Sequence, residues 1–107
     1  MDWKEKRSSE ISKLFECIEQ RFGTNELLVK SKCRKKELVL AKKYITNILF
    51  ELFKEDKMTH QDISEVVCLN RCSFIHNRKQ HLNFYERYKD YKEDYDNLKE
   101  KFENMLK

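Results

Sequence analysis

Proline is absent from this 107-residue chain, and glycine occurs once, at Gly23. Tight β-hairpins draw on glycine, asparagine-glycine and proline turns to reverse the chain, so an all-β fold is excluded on turn chemistry. Without proline nothing interrupts a helical amide ladder, and the fold class expected is all-α. The shortage of glycine also removes every GxxxxGKS/T and GxGxxG loop, so no nucleotide site of the common kinds is expected. No run of 18 apolar residues occurs, which excludes a membrane-spanning helix. The opening MDWKEKRSSE mixes acids and bases with no apolar stretch behind it, unlike a signal peptide. The chain is therefore expected to be cytoplasmic. Four loosely spaced cysteines in such a chain are expected to stay reduced.

What the chain has in quantity is charge, at 39% of residues, with a net charge of +4. The distribution matters more than the sum. Residues 24–43 carry seven Lys/Arg against two Glu. Residues 44–70 are net acidic, and residues 71–81, RCSFIHNRKQH, contain three basic residues and no acid. Two basic islands in an otherwise neutral or acidic chain fit a defined anion-binding face.

The apolar spacing marks out the helices. Ile11, Leu14, Phe15, Ile18 and Phe22 recur at three and four and predict a first helix, with Ser8 or Ser9 as its cap and Gly23 as its left-handed end. TNELLVKSK predicts a short turn of helix, opened by Thr24 or Asn25, running into the basic loop KSKCRKKE. ELVLAKKYITNILFELF is the strongest helix, with Leu38, Ala41, Ile45, Ile48, Leu49, Leu52 and Phe53 facing inward. THQDISEVV opens with a capping box, Thr59 accepting from position 62 while Asp62 reaches back. After the break CLN, Asn70 caps the next helix. Two short helices with a tight turn between them, the second rich in Arg, Asn, Ser and Lys, make a helix-turn-helix. The second is expected to bury Phe74, Ile75 and Leu82. Its other face would then show Arg71, Ser73, Asn77, Arg78 and His81, the side-chain types that read base edges and hold phosphates.

In the tail, Phe84, Tyr88, Tyr91, Tyr95, Leu98, Phe102 and Met105 recur at alternating spacings of four and three, a heptad seam. Such a seam needs a partner. Either the first helix of the same chain or the same helix of a second copy, in a homodimer, would serve. The expected organisation is an N-terminal amphipathic helix over 1–23, a helix-turn-helix domain over 24–83 and a C-terminal helix over 84–107.

The order of these features resembles the C-terminal DNA-binding domain of the bacterial replication initiator DnaA, a Trp-repressor-like helix-turn-helix. The likeness covers roughly residues 10–83. FGTNELLVKSKCRKKELVLAKKYITNILFEL is similar to that family's run from linker helix through basic loop into its long helix, and NRCSFIH to its signature, DHSTVxH. The resemblance implies double-stranded DNA as the partner. It places minor-groove contact on Lys36 with Arg34 and Lys35 beside it, backbone contact on Lys42 and Lys43, and major-groove reading on Asn70, Arg71, Cys72 and Ser73; the outward face of the predicted second helix adds Asn77 and Arg78 to the DNA-binding set. Asn70, Arg71 and Cys72 stand where the signature has Asp, His and a hydroxyl residue. An arginine there would take a guanine in a bidentate pair, worth roughly 1–3 kcal/mol of discrimination. The family's ATPase domain has no counterpart, so the resemblance implies a stand-alone regulator of replication or transcription, bacterial or phage-encoded and associated with the nucleoid.

Other readings of the same residues are blander. Cys68, Cys72 and His76 form C-x3-C-x3-H, which departs from the C-x2-C spacing of structural zinc, so no metal or cofactor is expected. Cys72 and His76 lie one helical turn apart but have no third orienting group and no pocket, so no enzyme is expected. The rival is a protein-interaction module, in which the helix-turn-helix is a scaffold and the aromatic tail docks a partner.

Overall fold

A computed structural model describes residues 3–24, 26–30, 35–56 and 58–106. It is all-helical. Seven helices run in order through the described residues: α1 (Trp3–Lys6), α2 (Ser8–Phe22), α3 (Glu26–Lys30), α4 (Lys36–Leu52), α5 (His60–Val66), α6 (Arg71–Arg87) and α7 (Lys89–Met105). None is long and apolar enough to cross a membrane.

Local signals end the helices where the sequence places them. Gly23 closes α2 at φ 70°, its amide donating to the Glu19 carbonyl at 2.7 Å, a conformation that L side chains avoid. At α5 the Thr59 hydroxyl accepts from the Asp62 amide at 3.1 Å, and the Asp62 carboxylate accepts from the Thr59 amide at 2.9 Å. The Asn70 side chain accepts from the Ser73 amide at 2.7 Å and opens α6. The start of α2 differs from expectation, because neither Ser8 nor Ser9 caps it. The N-cap is Arg7, whose amide donates to the Trp3 carbonyl at 3.0 Å, so that α1 leads directly into α2. Arg7 is held there from a distance. Its guanidinium donates to Asp56 at 2.8 and 3.1 Å and lies over the Phe53 ring, and the Trp3 indole donates to the same carboxylate at 3.1 Å.

Helix α4 is the axis of the molecule. Every residue from Ala41 to Leu49 is buried, as befits a helix wrapped on all sides. Its neighbours can be oriented from their contacts. Phe50 meets Phe74, Asn47 meets Arg78 and Lys43 meets Phe84, so α4 and α6 are antiparallel. Cys17 meets Met105 and Arg21 meets Asp94, so α2 and α7 are antiparallel. His81 meets Tyr91 and Tyr85 meets Asp96, so α6 and α7 form a helical hairpin. Adjacent pairs α2–α4, α4–α6, α6–α7 and α7–α2 close a four-helix ring, the up-and-down arrangement that short connections favour. Aromatic rings cross its centre from α4 to α7: Tyr44 against Tyr91 and Tyr95, and Phe53 against Phe102. At the end where α4 finishes, α5 tucks underneath, with His60 between Phe50 and Phe74.

The tail is not one continuous helix from residue 84. Helix α6 runs on to Arg87, and Tyr88, in extended conformation at φ −115° and ψ 109°, turns the chain back into α7. The seam beyond that turn is filled from within the chain. Tyr95, Leu98 and Phe102 are buried, with Met105 half-buried against Cys17, while Tyr88 at the apex is 57% exposed.

Candidate nucleic-acid interface

The helix-turn-helix residues form a compact unit. α5 ends at Val66, the turn takes residues 67–70, and α6 begins at Arg71. Cys68 in the turn has a positive φ of 57°, a left-handed conformation costing a non-glycine residue about 1 kcal/mol. The Leu69 amide returns to the Ser64 carbonyl at 2.8 Å and secures the reversal.

The inward stripe of α6 is Phe74, Arg78, His81 and Tyr85, at spacings of four, three and four. Phe74 and His81 are buried, and Arg78 and Tyr85 half-buried. Two sequence-based expectations are corrected here: Leu82 is 51% exposed, and His81 is 2% exposed rather than outward. The cause lies on α4. Glu51, a half-buried carboxylate, faces Arg78 at 3.7 Å, the His81 Nε2 at 3.7 Å and Lys99 at 3.9 Å, and it accepts from the Tyr95 hydroxyl. Burial by itself pushes this carboxyl up, but the nearby His81 ring, the hydrogen bond from Tyr95 and the charges of Lys99 and Arg78 hold it down at about 2. His81 Nδ1 shares a 2.7 Å hydrogen bond with the Tyr91 hydroxyl, and Arg78 donates to Asn47 at 3.0 Å while lying over the Phe50 ring. One acid on α4 thus draws polar side chains of α6 and α7 into the bundle.

Rotation and position along α6 together decide which predicted site residues reach the surface. Arg71 and Cys72 are exposed at its first turn, and Asn70 is exposed while its side chain serves as the cap. Ser73 and Asn77 are half-buried, and Arg78 is engaged by α4. Lys35 and Lys36 are exposed at the start of α4. Lys42 and Lys43, expected among the surface cations, are 8% and 5% exposed, because α4 is covered on that face too. Arg34 lies outside the described residues. The outward face of α6 brings together Cys72 and His76 with Lys79, Asn83 and Arg87, three residues that were not singled out. They follow from the helical period once Phe74 and His81 are known to point inward.

Beside Arg71 is an open hollow of about 470 Å³ lined by Phe50, Met58, Thr59, His60, Gln61 and Arg71. The exposed N-terminal turn of α6 therefore borders a recess with an aromatic floor. The two basic islands lie towards opposite ends of the α4–α6 pair. Between Lys36 and Phe50, the residue against Phe74, α4 rises roughly 20 Å.

No protein-family model matches the chain, and neither the curated proteins nor the solved structures contain a significant match to it.

Proposed function

We propose that this protein binds double-stranded DNA with sequence preference, the exposed N-terminal part of α6 entering the major groove. The observation that carries this reading is the exposed, acid-free surface of α6. From Arg71 to Tyr85 the helix contains no acidic residue, and its exposed positions are Arg71, Cys72, His76, Lys79, Leu82 and Asn83. A recognition helix reads bases with its N-terminal residues while the helix before it crosses the backbone, and the α5–turn–α6 unit presents that end free. Arg71 would pair with a guanine edge, and Lys79 and Arg87 would follow the phosphates. Lys35 and Lys36, roughly 25 Å from Arg71 along the bundle, would reach the adjacent minor groove or the backbone. The likeness of NRCSFIH and the preceding loop and long helix to the DnaA DNA-binding domain supports the same reading. It suggests a regulator of replication or transcription.

The test is fluorescence anisotropy with a random-sequence duplex pool at two salt concentrations, followed by sequencing of the bound fraction. The expected result is binding that weakens steeply with salt and enriches one motif. Lys36→Glu with Arg71→Glu should abolish it and leave the circular dichroism spectrum unchanged. Salt-insensitive binding, or no enrichment, would reject the reading.

A specific observation favours a second reading, a protein-interaction module. Leu82 and Tyr88 are 51% and 57% exposed on the α6–α7 hairpin, and a duplex has no need of them. If the chain fails to bind DNA, Leu82→Glu with Tyr88→Glu, read by pull-down, tests that surface.

A further inference from the structure

Two half-buried arginines are each held by an acid. Arg7 has Asp56 and Arg78 has Glu51. Lys43, only 5% exposed in the middle of α4, faces no carboxylate among the described residues. The contact its ammonium makes is with the face of the Phe84 ring, 4.6 Å from the centroid. A ring face attracts a cation by about 2 kcal/mol at best, which does not offset the several kcal/mol of desolvating an ammonium. Burial accordingly pushes the Lys43 amine below the ordinary lysine range. A charge left in this state is either a liability or one half of a site.

The surroundings favour a site. Lys43 opens onto a hollow of about 310 Å³ whose other walls are Lys36, Val39 and Leu40. All four residues lie along the first two turns of α4. Val39 is 41% exposed, a large apolar side chain left uncovered, and Leu40 is half-buried. Lys36, two turns before Lys43 on the same face, is exposed. The hollow thus has a cation at each end and an apolar floor between. We propose that it binds a small organic anion with an apolar body, Lys43 and Lys36 acting as counter-ions to its acidic group and Val39 and Leu40 covering its hydrocarbon. The volume is near the lower end of the range for small-molecule sites, which suits one ring or a short alkyl chain. A DNA phosphate is a poor occupant, because it has no apolar body and Lys43 is too deep to reach a duplex backbone.

Isothermal titration with decanoate, and with decanol as the neutral molecule of the same body, tests this on the full chain. Saturable one-to-one binding of decanoate is expected, with decanol at least about tenfold weaker, the value of one charge-assisted hydrogen bond. Lys43→Met should weaken decanoate about tenfold while raising thermal stability. Lys36→Gln, at an exposed position, should weaken it about threefold without touching the fold. Arg71→Ala should leave it unchanged, which separates this site from the DNA reading. Equal affinity for decanol, no saturable binding, or full affinity in both lysine variants would overturn the proposal.

Discussion

Arg71 and Arg78 are the same side chain seven residues apart on one helix, and they have opposite fates. Arg71 sits in the first turn of α6, exposed, beside an open hollow. Arg78 lies two turns further on, against Asn47, Glu51 and the ring of Phe50. Two turns nearly restore the angle around a helix, so rotation alone does not separate them. What differs is what stands opposite. Helix α4 ends at Leu52, and Arg71 projects beyond it, whereas Arg78 meets the one acid of α4 that points at α6. The comparison teaches that α6 is two things in sequence: a free end that can meet a ligand and a middle that belongs to the bundle.

The comparison breaks most severely if the acid is removed. Glu51→Ala should destabilise the fold by on the order of 3 kcal/mol, because Arg78, His81 and Tyr95 would lose a shared partner in a partly buried site; urea denaturation measures it. Acid titration tests the same group. The Glu51 carboxyl is depressed from 4.5 to about 2, so its contribution is fully present above pH 4.5 and is lost as pH falls through 2. In Glu51→Gln that acid-limb loss should be shallower.

Next in size is the exchange between the two arginines. Arg71→Ala should cost about 1–3 kcal/mol of DNA discrimination, roughly 5- to 150-fold in affinity, with stability changed by less than about 0.5 kcal/mol. Arg78→Ala should do the reverse, lowering stability by about 1–2 kcal/mol and leaving anisotropy titrations unaltered at temperatures where the variant is folded. A DNA defect in Arg78→Ala equal to that in Arg71→Ala would erase the distinction. Smallest is the cap between them and the turn. Asn70→Ala removes the hydrogen bond to the Ser73 amide and should cost about 1 kcal/mol. It should loosen the free end without disturbing the middle, visible as faster amide exchange confined to the first turn of α6.

Much of this was legible along the chain. The all-helical class followed from missing turn residues, and the stripe Leu14, Phe15, Ile18 placed α2 correctly on the core. The long helix α4 came out within a residue of its observed bounds, and so did the ends marked by Gly23, Thr59 and Asn70. The interior of α6 was harder. Its inward stripe sets Arg78 and His81 between Phe74 and Tyr85, so apolar periodicity chose Leu82, which is exposed. Lys42 and Lys43 looked like surface cations because lysine usually is one, and only a helix buried around its whole circumference conceals them. The heptad seam was visible. The extended Tyr88 that cuts it was not, since no proline or glycine marks the turn. Arg7 and Trp3 on Asp56 join positions about fifty residues apart, beyond the reach of any spacing rule.

The sequence by itself determined where helices start and stop and that they must pack on one another, because capping, glycine conformation and hydrogen-bond periodicity act within a few residues. The tertiary structure alone decided which face of α6 is inside and that α4 is buried around its circumference. That choice depends on partners far along the chain. Here Glu51 engages Arg78 and His81 on the inner side of α6, and among the described residues no carboxylate stands near Lys43, a buried cation that lines a hollow.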